Sequence, residues 1–279
     1  MNSKTIFMPA LFAITMASVA SSQEPMHMPQ NVEVSPYKKL VDWSVKGMVK
    51  RARPGSRRFP IFNVKKYPDA IESYEDGLQR YRAVARDAIS VAFDPDEAPL
   101  FGGRYGRHRT LSLLLSIASW ESGYKKHVDY DISPQARGDS GRSWCLMQVN
   151  LGKPICVDET HKRLPPPVDG KCEIGRPSTP SVLSFHDGKV DILRNDANAP
   201  SDAVSGQDLI ANRKLCFRAG LRIIKKSFAA CKGNPLEDRL AAYASGSCDA
   251  GKVESKRRIG GMRSWMTMRP IPMMDPEKI

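Results

Sequence analysis

The sequence predicts a mainly α fold with a small β-hairpin region and with extensions at both ends. Three observations lead there. Apolar residues recur at helical spacing in 67–93, 110–123 and 215–231. One segment, 138–150, instead opens as a turn and continues with strand-like alternation. The flanks 21–66 and 251–279 are basic and have the character of extensions.

In chain order, Lys4, the apolar run 6–16 and Ser18-Val19-Ala20 have the layout of a secretory signal ending at residue 20. The run is too short to span a membrane, and no second apolar run of spanning length follows. Within 21–66, residues 36–49 fit a basic amphipathic helix, and 51–58 fit an exposed basic linker. Residues 67–93 fit a long helix with Leu78, Tyr81, Val84, Ala85 and Ile89 near helical spacing, closed by Pro95. The glycines of 101–106 lack a preceding strand and the spacing of a phosphate loop, so they are taken as a linker. Residues 151–205 are long for a structureless loop, and a disulfide-tied insertion would account for them. Helices resume near Ser205 and Asp208, run through 215–231 with Leu215, Ala219, Ile223 and Phe228 as the stripe, and return at 236–244. The tail after Gly251 is basic and rich in Met and Pro, and little local order is expected there.

The segment 110–123 carries the candidate chemistry. Leu111, Leu114, Leu115 and Ala118 fall at i, i+3, i+4 and i+7, and Glu121 continues that face. Gly123 suits the left-handed residue that ends a helix. A carboxyl there is desolvated and faces the negative end of the helix dipole, and both effects favour its protonated form. A carboxyl kept protonated near neutral pH can serve as a general acid. In the following segment, alternation places Trp144, Leu146, Gln148 and Asn150 on one face and Cys145, Met147 and Val149 on the other. An aromatic mixed with amides suits a sugar, which offers apolar ring faces and hydroxyls.

Glu121-Ser122-Gly123, then Gly138-Asp139-Ser140-Gly141, then Leu146-Met147-Gln148-Val149 and, much later, Ala241-Ala242-Tyr243-Ala244-Ser245-Gly246 stand in one order along the chain. Together they resemble the signature of the lysozyme-like superfamily, closest to the goose-type lysozymes and the soluble lytic transglycosylases. The resemblance covers roughly residues 67–250. It implies an α+β lysozyme-like catalytic domain that cleaves the MurNAc-β-1,4-GlcNAc bond of peptidoglycan glycan strands. Glu121 would be the general acid, and Asp139 is the candidate for a second catalytic carboxylate. Ser122, Trp144, Met147, Gln148, Asn150 and Tyr243 would line the substrate groove. Ser122 is equally consistent with merely ending the helix. No cofactor or metal is implied, and a monomer is expected.

Three positions depart from the family pattern. Cys145 stands where the family has glycine before Leu-Met-Gln, Ala244 replaces the asparagine of the tyrosine box, and Asn150 replaces an acid frequent in goose-type enzymes. Hydrolysis and transglycosylation with 1,6-anhydro products both remain open, as does a non-catalytic wall-binding protein of the same fold.

Composition bears on compartment and partners. Six cysteines in a chain with a secretory signal predict three disulfides and a secreted or periplasmic location. Fifteen pairings are possible, but Cys216 and Cys231 would lie about 22 Å apart on one unbroken helix, beyond disulfide reach. No Cys-x-x-Cys occurs, which disfavours zinc. His127, Asp129 and Asp131 cluster after the 110–123 helix without diagnostic metal spacing and are read as solvated loop residues. A net charge of +13 favours polyanions. There is no nucleic-acid motif or stacking array, and the resemblance to lysozyme-like enzymes implies anionic cell-wall polymers as the partner rather than nucleic acid.

Overall fold

A computed structural model of the protein describes residues 35–51, 67–132, 137–152, 156–157, 176–177, 182–193 and 202–274. The signal-like segment 1–20, most of the 51–58 linker and much of 151–205 lie outside the described residues. The helices in chain order are α1 (Pro36–Arg51), α2 (Tyr74–Ala92), α3 (Gly106–Glu121), α4 (Lys126–Asp129), α5 (Gly138–Gly141), α6 (Gly206–Ala211), α7 (Arg213–Ala230), α8 (Ala241–Ser245) and α9 (Lys252–Met266). Three antiparallel strand pairs accompany them: β1 (Ser143–Trp144) with β2 (Val149–Asn150), β3 (Cys156–Val157) with β4 (Arg176–Pro177), and β5 (Val182–His186) with β6 (Lys189–Leu193). The fold is therefore mainly α with small hairpins, as the periodicity predicts.

Helix α3 is the centre of the core. The expected stripe Leu111, Leu114, Leu115 and Ala118 is buried, but so are Leu113, Ile117, Ser112 and Ser116. A helix buried on all sides has neighbours on all sides, and α9, α2, α1 and α7 all pack on it. The buried serines bond within the protein: Ser112 Oγ donates to the His108 carbonyl at 2.7 Å and Ser116 Oγ to the Arg258 carbonyl at 2.9 Å.

Several elements differ from expectation. Helix α2 begins at Tyr74, not 67, because the Ser73 hydroxyl caps it by accepting from the Asp76 amide at 3.0 Å. Helix α6 begins at the expected place, with Ser205 and Asp208 forming a reciprocal capping box. The buried residues of α7 are Cys216, Phe217, Ala219, Gly220, Leu221, Ile224 and Ser227, so of the stripe read in sequence Ala219 is buried while Leu215, Ile223 and Phe228 are only partly so. Its basic residues are held by acids, since Arg222 and Lys225 both reach Glu97, and Arg213 reaches Asp129 and Asp87. Residues 236–244 are not one helix: a 3-10 turn at Leu236–Asp238 precedes α8, which stops at Gly246 with φ 76°. Within 151–205, Leu183 and Val190 of the β5–β6 hairpin are buried in the core.

The flanks are not appendages where they are described. Leu40 and Met48 of α1 are buried, and Trp43 packs at 5.7 Å from Trp265 of α9. Arg51 sits over the Trp265 ring at 4.3 Å and donates to the Gly47 carbonyl, so it is not part of an exposed linker. The expectation of little order after Gly251 is likewise corrected. Ser255, Ile259, Met262 and Trp265 recur every three or four residues and are buried as one face of α9.

Two disulfides are described, Cys145–Cys216 and Cys231–Cys248. Cys216 and Cys231 sit at opposite ends of α7 and pair elsewhere, as the helical separation requires. Cys172 and the Cys156 side chain lie outside the described residues. Among the described cysteines none is free, and among the described residues no helix is long and apolar enough to cross a membrane. Disulfides fit an oxidising compartment. Cys145–Cys216 closes a separation of 71 residues, so replacing both by Ser should cost about 2–5 kcal/mol in urea unfolding. Thiol titration of the denatured, unreduced protein should find no reactive thiol, and two or more per chain would overturn the three-bridge framework.

Candidate active site

Glu121 is the last residue of α3, and the chain turns sharply beyond it. Gly123 and Tyr124 both take positive φ, 58° and 52°. Tyr124 survives there because it is locked: its hydroxyl donates to the Leu115 carbonyl and its own carbonyl accepts from Arg80 Nη1 at 2.8 Å. Ser122 is buried and ends the helix. Its hydroxyl donates to the Ala118 carbonyl at 2.7 Å and accepts from the Tyr124 amide at 3.2 Å. Of its two sequence readings, the helix-ending one matches these bonds.

Helix α9 closes the site from the other end of the chain. Gly261 lies so near α3 that an added Cβ would meet Ser116 Oγ at 2.0 Å. That close approach sets Arg258, one turn earlier, over Glu121. Arg258 donates from Nε at 2.9 Å and from Nη2 at 2.5 Å, both to Glu121 Oε1. Trp120, 54% exposed, lies beside Glu121 on the same seam.

The third wall is the β1–β2 hairpin. Cys145 and Gln148 have positive φ, 55° and 48°, so residues 145–148 form a turn. The continuous alternation expected over 144–150 is thereby corrected. The Met147 side chain is buried against Gly220 of α7, and the Met147 carbonyl accepts from the Tyr243 hydroxyl at 2.7 Å. Gln148 spends its amide on the backbone, accepting from Gly138 N at 2.9 Å and donating to the Cys145 carbonyl at 3.0 Å. Trp144 is packed on Gly206 and covered by the Arg137 guanidinium at 3.6 Å.

Asp139 is exposed, at φ 52° in α5. Its Oδ2 accepts from Ser143 Oγ at 2.6 Å and from Asn150 Nδ2 at 3.0 Å. Asn150 thus holds Asp139.

Burial at the helix end pushes the Glu121 carboxyl above the usual glutamate range. The Arg258 charge and hydrogen bonds pull against that shift, and the negative charge of Asp139 adds to it. Tyr243 is raised well above the usual tyrosine value, first by burial and then by Glu121, so its hydroxyl stays a donor. The structure therefore brings Glu121, Asp139 and Tyr243 into one electrostatic cluster. Comparison with family models, curated proteins and solved structures finds no match to this chain. The site stands on its own geometry.

Sequence reasoning missed Arg258 and Trp120. The signal for Arg258 was the Ser255, Ile259, Met262, Trp265 periodicity, obscured by Gly260-Gly261 and by the surrounding charge. Among the described residues no group of three or more His, Cys, Asp or Glu side chains is placed to hold a metal ion. Asp129 is not a solvated loop residue. It is buried between Arg80 and Arg213, while Asp131 pairs with Arg137 and His127 stacks on Tyr67 at 4.3 Å.

Proposed function

We propose that this chain is a peptidoglycan-cleaving glycosidase of lysozyme type, with Glu121 as general acid. The observation that carries the reading is one desolvated carboxyl, raised in pKa, electrostatically coupled to a second, solvated carboxylate. Glu121 protonates the glycosidic oxygen as positive charge develops on the sugar. Asp139 is fixed by Ser143 and Asn150 through Oδ2. The residue is exposed and its Oδ1 has no hydrogen-bond partner among the described residues, which leaves that oxygen able to hold a nucleophilic water. That favours hydrolysis over transglycosylation, in which the sugar's own hydroxyl attacks. Trp120 offers an exposed ring beside the acid for a sugar face.

The test is mass spectrometry of muropeptides released from purified sacculi. Reducing-end products are expected. Asp139→Asn should cost roughly 10²-fold or more in rate, the scale of general base catalysis. Products with 1,6-anhydro ends from an Asp139→Asn protein of undiminished activity would reassign the chain as a transglycosylase. Sedimentation with sacculi and no release of any product would reduce it to a wall-binding protein.

A further inference from the structure

One contact in the resting site, Arg258 on Glu121, works against the protonation that burial favours. Arg258 binds Glu121 through two donors, and the side chains are only 11% and 19% exposed. A guanidinium at this distance favours the ionised carboxylate, yet a general acid must be loaded with a proton before it can act. Release of the guanidinium would favour protonation further, and three features indicate what releases it.

The helix itself cannot withdraw. The Arg258 carbonyl accepts from Ser116 Oγ at 2.9 Å, and Gly261 leaves no gap between α9 and α3. Only the guanidinium can change partner. It also has capacity to do so: both donors converge on Oε1, while Nη1 of Arg258 and Oε2 of Glu121 have no hydrogen-bond partner among the described residues. Finally, the other groups facing Glu121 are Asp139 from α5 and Tyr243 from α8, neither of them a cation. With Arg258 engaged elsewhere, burial and the Asp139 charge both favour the protonated acid.

We propose that Arg258 is a binding group for a carboxylate carried on the sugar beside the scissile bond, and that this carboxylate replaces Glu121 on the guanidinium when substrate binds. The charges balance. Before binding, the guanidinium faces the Glu121 carboxylate; afterwards it faces the substrate carboxylate, and Glu121 takes one proton from solvent. Planar, two-donor recognition is what arginine offers a carboxylate. N-acetylmuramic acid carries such a group on its lactyl ether, and a chitin-type glycan does not. This inference rests on the glycosidase reading and specifies its substrate: the acid is loaded more fully when an acidic glycan occupies the site.

The experiment compares a soluble GlcNAc–MurNAc tetrasaccharide with the same tetrasaccharide whose lactyl carboxylates have been reduced to alcohols. Wild type, Arg258→Gln and Arg258→Lys are assayed on both, with circular dichroism to verify folding. Wild type should prefer the carboxylated glycan by about 10- to 100-fold in kcat/KM, the range of one charge-assisted contact. Arg258→Gln should cleave the two at similar rates, and its rate on the reduced glycan should persist to higher pH than that of wild type. Arg258→Lys should keep part of the preference. If Arg258→Gln does not fold, wild type and Arg258→Lys decide the matter. Equal wild-type rates on both glycans would overturn the inference and leave the glycosidase reading standing. Cleavage of neither glycan would overturn both.

Discussion

Glu121→Gln is expected to give a folded protein whose rate of glycan cleavage falls by about 10²–10⁴-fold, the usual contribution of general acid catalysis. Gln keeps the size of the side chain, and its carbonyl oxygen can still accept from Arg258. It has no proton to give at any pH near neutral. In wild type, activity should decline as pH rises through the Glu121 pKa, because the protonated form does the work. The upward shift places that decline above the ordinary glutamate value of 4.5. The sign for stability runs the same way: a carboxyl raised by folding stabilises the folded state at low pH, and that stabilisation is lost as pH rises through its folded pKa. The Gln variant should lack this dependence. Clearing of sacculi at wild-type rate by a folded Glu121→Gln protein would refute the assignment of the acid.

The second large effect is expected far from the acid. Trp265→Ala should destabilise the protein by about 3–5 kcal/mol in urea unfolding, the cost of emptying a large buried aromatic site. Trp265 is fully buried. Gly47 of α1 lies flat against its ring, where an added Cβ would come within 2.2 Å, and Trp43 packs beside it. Neither α1 nor α9 can collapse into the space without losing contacts on α3. The loss should exceed the roughly ±0.5 kcal/mol of an ordinary surface change. A shift of that small size would mean that α9 is not integral to the core.

That helix marks the limit of what the sequence discloses. Glu121 was legible because its evidence is local: an apolar stripe and a glycine stop lie within one helix. The Ser205 cap was legible for the same reason. The hairpin was half legible. Its turn residues point to a β segment, but simple alternation assumes ordinary strand dihedrals, and Cys145 and Gln148 take positive φ. Cys145, Met147 and Val149 are still buried while Trp144, Gln148 and Asn150 are not, and only Leu146 leaves the face expected for it. Arg258 was illegible because its partner lies 137 residues away. Nothing in the local composition distinguishes an arginine that meets a buried carboxylate from one that meets water. The partial reading of α7 has a similar cause: Leu215, Ile223 and Phe228 pack at the margin of the core, while small Gly220 occupies its centre because Met147 fills the space above it.

The Cys145–Cys216 bridge makes the mounting of Asp139 sensitive to oxidation. It fastens the hairpin turn to α7, and that turn carries both the carbonyl that receives Tyr243 and the strand that ends in Asn150, the support of Asp139. Before oxidation the turn is held only by non-covalent contacts, with two residues in disfavoured dihedrals. Where thiols are kept reduced, the support of Asp139 therefore rests on non-covalent contacts alone. Protein refolded under reducing conditions should accordingly trail its oxidised counterpart in rate on the same glycan, and equal rates would show the staple to be dispensable.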